Sequence, residues 1–277
     1  MERLWLITNF ASGSASEEKC DAIQAIFQER GMELVGRTEF PDEKMPAVED
    51  LIAANVDTVV LFAGDGTVNT AACKYDKWHG KALILPGGTM NVLAKRLHGE
   101  AEPHDIVHKA HEQPTLRSLP YVESGPHRAF CALIVGPAAA WAGAREAVRY
   151  RRFKRLMRAV RVAWARTWSR GVTLFDGTRK RGAYKALLIA PEDGWLRISA
   201  FSTATLTQAV RLGWEWLMGN WHNAPTVDDT RSAHVTVTGR RTLHALFDGE
   251  EAKLPCPARI SSGTSNLRFV VTLEAAA

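Results

Sequence analysis

The 277-residue chain predicts an α/β domain followed by a mainly antiparallel β domain with inserted helices. Three observations carry this. Up to about residue 120, short apolar runs alternate with amphipathic stretches, the pattern of βαβ units around a parallel sheet. Beyond Pro120 the runs alternate apolar with polar residues and are separated by turn residues, as in antiparallel sheets. No low-complexity linker and no solenoid period separates or repeats these halves. The expected division is therefore 1–120 and 121–277, with the last strand a candidate to return to the first domain.

The elements follow in order. Leu4-Trp5-Leu6-Ile7 is a short buried-strand signal, and Asn9 to Ser14 is a loop. Ser16, with Glu17 and Glu18, opens an amphipathic helix that Gly31 closes. Met32 to Phe40 is a second strand candidate, and a helix is expected from about Glu43 to Asn55. Thr58 to Phe62 is a strand apolar on both faces, and a helix follows Thr67. Ala82 to Leu85 is the next strand, with another helix from Thr89. In the second half the strand candidates are Ala129–Val135, Lys185–Ala190, Leu196–Phe201, His234–Thr238, Leu243–Phe247 and Leu267–Leu273. Helical stretches at about 142–168 and 205–218 interrupt them.

Composition excludes some classes. Apolar residues are 46% and charged residues 23%, ordinary for a globular protein. Cys20, Cys73, Cys131 and Cys256 form no CxxC pair, and the N-terminus is not signal-like. Reduced thiols in a cytoplasmic protein are the expectation. The longest uncharged stretch, Ala129 to Ala144, has 16 residues and contains Gly136-Pro137, too short for a membrane span. The formal net charge is +5, yet Arg145 to Arg170 holds ten Arg/Lys against Glu146 alone. The rest of the chain is then −4. Basic character this local argues for a local role, and no nucleic-acid partner is expected.

Two turns are written alike. Ala63-Gly64-Asp65-Gly66-Thr67-Val68-Asn69 and Pro86-Gly87-Gly88-Thr89-Met90-Asn91 each follow an apolar run, with the Gly-Thr pairs 22 residues apart. In an open α/β sheet, ligands sit at the carboxyl ends of the strands. A Gly-rich loop there lets backbone N–H groups approach a phosphate, and a helix N-terminus adds positive potential. Gly64, Gly66, Gly87 and Gly88 suit such closeness, and Thr67 and Thr89 can cap their helices or donate to a ligand. The competing reading is a pair of tight turns with caps. Asp65 sharpens the choice, because a carboxylate in an anion-binding loop calls for a cation, and Mg²⁺ between carboxylate and phosphate oxygens supplies one. A solvated turn Asp is the alternative. The Walker pattern is absent, and the third Gly of the dinucleotide fingerprint is missing, with Asn69 in its place.

Elsewhere the signals are weaker. Asp248-Gly249 lies between alternating segments, which a hairpin turn explains without function. Asp248 and Glu250 around that glycine can also set two carboxylates at one cleft, as phosphoryl transfer requires. Nine histidines show no HExxH, which argues against zinc. His222 reads as a surface or core histidine, and Trp214, Trp216 and Trp221 as core or as an apolar wall toward a lipid. No GxSxG elbow occurs.

Taken together, Asn9-Phe10-Ala11-Ser12-Gly13, Gly64 to Asn69, Pro86 to Asn91 and Asp248-Gly249-Glu250 occur in an order that resembles the diacylglycerol kinase catalytic family. The likeness is greatest to its small bacterial soluble lipid kinases, relatives of the sphingosine kinases. The resemblance implies a Rossmann-like nucleotide-binding α/β domain and a C-terminal β-sandwich-like domain. It implies ATP as phosphate donor, Mg²⁺, and a lipid hydroxyl as acceptor. Asn9, Gly64, Asp65, Gly66, Thr67, Gly88, Thr89 and Asn91 would then bind ATP. Asp65 would act through Mg²⁺, Asp248 would be the base, and Glu250 a metal or orienting group. The chain departs from the family at Phe10, Ala63, Thr70 and Val92, where Pro, Gly, Glu and Asp are usual, and Pro191 to Gly194 shortens a segment that holds a second Mg²⁺ in some relatives.

The basic segment fits this reading. Phe153, Leu156, Met157, Val160, Trp164 and Trp168 fall on one helix face, with Arg151, Arg152, Lys154, Arg155, Arg158 and Arg161 around it. Such a helix can lie on an anionic membrane or pack its apolar face on the second domain. The implied location is cytoplasmic, peripheral at the inner face of the membrane, with a homodimer left open. Two other readings stand beside the lipid kinase: a kinase of another hydroxyl, such as a sphingoid base, phosphatidylglycerol or NAD, and a nucleotide-binding protein without catalysis. The missing Asn-Glu pair at 69–70 argues against NAD.

Overall fold

A run that is apolar on both faces is satisfied only when both are covered, and Thr58–Ala63, apolar after its first residue, meets this condition with all six residues buried. It is an interior strand of the first sheet. The computed structural model describes residues 1–12, 15–113, 115–137, 139, 171–175, 180–201, 228–239 and 242–273. They form two units, Met1–Leu119 with Thr264–Ala277, and Pro120–Gly263. The helices expected at about 142–168 and 205–218, with Trp214, Trp216, Trp221 and His222, lie outside the described residues.

The first unit is built from β1 (Arg3–Thr8), α1 (Glu17–Glu29), β2 (Glu33–Glu39), α2 (Val48–Ala53), β3 (Thr58–Ala63), α3 (Asp65–Lys74), β4 (Lys81–Pro86), α4 (Val92–His98) and α5 (Pro103–Glu112). Ser16 Oγ accepts the Lys19 N–H at 3.3 Å and caps α1, with Glu17 and Glu18 favourably placed in the first turn. Cys20, Ile23 and Phe27 form its buried stripe. Gly31 ends the helix with φ +68°, which an L-residue adopts only at a cost. Burial pushes the Cys20 thiol up to about 11, so it is a core thiol rather than a nucleophile.

The helix expected from Glu43 is shorter than its pattern. It begins at Val48, because Pro46 lacks an N–H and drives Met45 out of helical geometry. The Asp50 carboxylate then accepts the Ala47 N–H at 2.8 Å. The strands run β2-β1-β3-β4 and are all parallel. The chain thus goes from β1 outward to β2, then crosses to β3 on the other side of β1. At the amino ends, the Asp57 carboxylate accepts the Glu2 N–H at 2.8 Å and bonds the Thr58 hydroxyl. Burial works against its charge, but these bonds and Lys81 hold it below the usual carboxylate range.

The second unit contains β5 (Thr115–Ser124) from Pro120 on, β6 (His127–Ala129), β7 (Leu133–Val135), β8 (Val172–Phe175), β9 (Lys180–Tyr184), β10 (Ala186–Glu192), β11 (Trp195–Phe201), β12 (Asp228–Ser232), β13 (His234–Thr238), β14 (Thr242–Phe247), β15 (Glu250–Pro255) and the start of β16 (Ala258–Val271). One antiparallel sheet has the order β12-β11-β10-β7-β14-β15. Facing it are β16-β13-β8-β9 and the β5–β6 hairpin. Inward residues of both layers, among them Leu133, Ile189, Ile198, Val235 and Ile260, share one core. The architecture is a β-sandwich. The run Ala129–Val135 is not one strand but two short ones, with Phe130–Ala132 as connector. β16 belongs to both units: Val235 faces Ile260 in the second, and Phe269 pairs parallel with Ala82 in the first.

Candidate active site

The reversal of strand order between β1 and β3 opens a crevice at their carboxyl ends, the place where doubly wound sheets bind ligands. Asn9 stands at that point. Its N–H donates to the Phe62 carbonyl at 3.4 Å. Its side chain accepts the Ala11 N–H at 3.0 Å and donates to Thr67 Oγ1 at 2.8 Å. The amide therefore ties the β1 loop to the first turn of α3. Thr67 is buried, with 6% of its surface exposed. The N-cap of α3 is Gly64, so Thr67 is the third helical residue and not a cap. Its hydroxyl is an acceptor for Asn9 rather than for the helix backbone.

Asp65 opens α3. In the first turn the N–H groups lack intrahelical partners, and a negative charge there is favoured by the helix dipole. Its Oδ1 also accepts the Leu93 N–H of α4 at 3.4 Å. The carboxylate is half-buried and joins the two Gly-Thr turns. A structural bond thus explains part of its presence without a cation.

The second turn rests on the first. Gly87 N–H donates to the Ala63 carbonyl at 3.2 Å, and the Gly87 carbonyl accepts the Ala15 N–H at 3.1 Å. A Cβ on Gly87 would lie 2.6 Å from the Ala63 nitrogen, and one on Gly88 would lie 2.6 Å from the Gly64 Cα. Both glycines are required for backbone to lie on backbone, before any phosphate is considered. Asn91, at φ +52°, folds its amide back on the turn: Oδ1 accepts the Gly88 N–H at 2.7 Å, and Nδ2 donates to the Gly88 carbonyl at 2.9 Å. α4 begins at Val92 with Asn91 as N-cap, so Thr89 is an exposed turn residue and not a cap. Asn9, Gly64, Asp65, Gly66, Thr67, Gly88, Thr89 and Asn91 therefore gather at the carboxyl ends of β1, β3 and β4.

Asp248 and Glu250 belong to the second unit. Asp248 and Gly249, at φ +48° and +94°, make a two-residue hairpin between β14 and β15. The Asp248 carboxylate accepts the N–H groups of Phe130, Cys131 and Ala132 at 2.7, 2.8 and 2.9 Å. Glu250 is exposed at the start of β15. Among the described residues no three His, Cys, Asp or Glu side chains converge as a metal site. The Ala15, Leu93 and Phe130–Ala132 amides carry no sequence signal, since every non-proline residue has the same donor.

Residues 3–118 match the diacylglycerol kinase catalytic domain. The matched span carries the Asn9 loop and both Gly-Thr turns. Two solved structures from Bacillus anthracis str. Sterne are similar along 98% of this chain and 97% of theirs. One is described as a diacylglycerol kinase, at 14% identity and a TM-score of 0.67. The other bears that name as a provisional assignment, at 12% identity and a TM-score of 0.67. At such identities the likeness speaks for the fold: a diacylglycerol-kinase-like α/β unit with an antiparallel β unit. A search of curated proteins finds no match.

Proposed function

We propose that the chain is an ATP-dependent kinase that transfers the γ-phosphate to the hydroxyl of a lipid such as diacylglycerol. The observation that carries this is the β1/β3 crossover point. There Asn9 is bonded to Thr67, and two glycine turns interlock beside the start of a ten-residue helix. Backbone N–H groups in such a place suit the phosphates of a nucleotide. Asp65 would hold Mg²⁺ together with phosphate oxygens, since Mg²⁺ commonly takes one or two carboxylates and completes its shell with phosphate and water. With the nucleotide, that ion supplies charge neutralisation at the β- and γ-phosphates. Gly64, Gly66 and Gly88 would line the phosphate side, with Thr89 and Asn91 at its edge. Asp248 would be the base toward the lipid hydroxyl, and Glu250 a metal or orienting group.

A lipid acceptor stays in a membrane, so the protein has to meet it there. No helix among the described residues is long and apolar enough to cross a bilayer. Peripheral attachment through Arg145–Arg170, at the inner face of the membrane and from the cytoplasm, fits the basic amphipathic pattern of that segment. Incubation with labelled ATP, Mg²⁺ and a total lipid extract, followed by chromatography, tests the activity. A labelled phospholipid is the expected product. Label on a sphingoid base, or on NAD supplied in a parallel incubation, would move the acceptor. ATP binding without any labelled product would favour a nucleotide-binding protein without catalysis.

A further inference from the structure

The β5–β6 hairpin reverses through Gly125-Pro126, with Gly125 at φ +58° and Ser124 paired to His127. Successive residues of a strand face opposite ways, so the short strand β6 works on two sides. Ala129 belongs to the sandwich core, and His127, two residues before it, turns to the same side. There its ring lies on Phe247, with centroids 5.2 Å apart and planes 34° from parallel, within the range of ring pairs that stabilise. On the other side the Arg128 guanidinium covers the Tyr121 ring at 4.2 Å. Tyr121 in turn meets Phe130 edge to face, at 5.9 Å and 73°. Both lines of contact end at one place. Phe247 precedes Asp248, and the Phe130 N–H donates to the Asp248 carboxylate at 2.7 Å. The strand therefore buttresses the Asp248 turn along both arms. Phe130 and Phe247 are buried, whereas His127 is half-buried, so its ring can be changed without opening the core.

A base that takes a hydroxyl proton must sit within hydrogen-bond reach of it, and a misplacement of about 1 Å can cost on the order of 10²-fold in rate. Asp248 lies in a two-residue turn at positive φ, so its direction follows the residues on either side. We propose that His127 is a positioning residue: its ring, packed on Phe247, fixes the turn so that the Asp248 carboxylate meets the acceptor hydroxyl. The contact is ring against ring, so the shape of the imidazole serves here rather than its proton. The catalytic half of this assignment rests on the kinase reading with Asp248 as base; the holding of the turn does not.

Variants of the full-length chain test it. His127→Phe keeps a flat ring without a titrating group, His127→Gln keeps a polar side chain without a ring, and His127→Ala keeps neither. Hydrogen exchange at the Phe130, Cys131 and Ala132 amides should run about three- to tenfold faster in the Gln and Ala proteins. In the Phe protein it should stay near the wild-type rate, and the Val60 amide of β3 should be unchanged in all. In the lipid-kinase assay, run well below every melting temperature, kcat should fall about tenfold in the Gln and Ala proteins with KM for ATP unchanged. The Phe protein should stay within about twofold of wild type. A Phe protein as slow as the Ala protein would assign the work to the imidazole nitrogens and overturn the proposal. So would wild-type exchange in the Ala protein, an equal rise in exchange at Val60, or a lowered melting temperature with kcat intact. If the wild type transfers no phosphate, the kinase reading fails, and the exchange rates still decide whether His127 holds the turn.

Discussion

The chain writes Asp-Gly at two turns of interest, Asp65-Gly66 and Asp248-Gly249, and the two have opposite structures. Asp65 follows a strand whose neighbours are parallel, so the chain must leave the sheet by a helix, and Asp65 becomes that helix's first residue. Asp248 follows a strand whose next partner is antiparallel, so the chain reverses in two residues at positive φ. One carboxylate is half-buried beside helix-start amides and bonded to a neighbouring turn. The other is caught in three amides of a connector. A dipeptide acquires its meaning from the direction of the next strand, which is a property of the sheet.

The sharpest way to break this contrast is Asp65→Asn. The Asn oxygen can still accept the Leu93 N–H, so the fold should hold while the charge disappears. If the charge serves Mg²⁺ and phosphates, transfer should fall on the order of 10³-fold or more, roughly 4 kcal/mol. A turnover assay with unchanged circular dichroism checks it, and near-wild-type turnover would leave Asp65 as a turn residue.

Acid should separate the two regions next. His98 ends α4, the helix whose Leu93 N–H bonds Asp65, and its Nδ1 lies 2.9 Å from Thr272 Oγ1. Burial pushes its ring down to about 4, with the Ile84 carbonyl pulling weakly the other way. Above pH 6.5 the ring is neutral in both folded and unfolded chains. Between 6.5 and about 4 only the unfolded chain takes up the proton, so stability falls as pH drops and levels off below that. The loss approaches about 3 kcal/mol. Urea denaturation followed from pH 7 to 4 should show it in the first unit, and His98→Leu should remove that part of the pH dependence.

A smaller effect should follow from Gly88→Ala. The added Cβ meets the Gly64 Cα, a backbone atom that cannot rotate away, and overpacking of this kind costs about 1–3 kcal/mol. Equilibrium unfolding and ATP affinity should both suffer. Gly249, at φ +94° with nothing within 4 Å of an added Cβ, should show backbone strain alone when changed to Ala. The smallest effect is expected from Thr67→Val, which removes the acceptor for Asn9 Nδ2 in a near-isosteric exchange. A loss of about 1 kcal/mol in stability, with weaker nucleotide binding in calorimetry, is the expected outcome.

Much of the site was legible because it depends on neighbours in sequence. A capping Ser16, a stopping Gly31 and apolar runs ending at glycine turns act over a few residues, and their spacing marks the ends of β1, β3 and β4. β9, β12 and β15, which carry little strand signal in the sequence, lie at sheet edges. An edge strand needs no apolar face beyond one neighbour and is often charged; Asp228-Asp229-Thr230-Arg231-Ser232 and Glu250-Glu251 read accordingly. The helix expected from Glu43 begins only at Val48, because Pro46 interrupts its apolar pattern.

By itself the sequence determined which segments are strands of a parallel sheet, where the glycine turns fall, and the ordered motifs that resemble a kinase family. All of these follow from local periodicity and local backbone preference. Only the tertiary structure decided that Gly87 and Gly88 are needed for contact with Ala63 and Gly64, that Asn91 spends its amide on its own turn, and that β16 serves two units. It alone decided that Asp248 faces Phe130, Cys131 and Ala132, more than a hundred residues away in the chain. The reason is physical. Those partners are main-chain N–H, C=O and Cα atoms, which are alike at almost every residue, and only the packing of strands selects which of them a side chain meets.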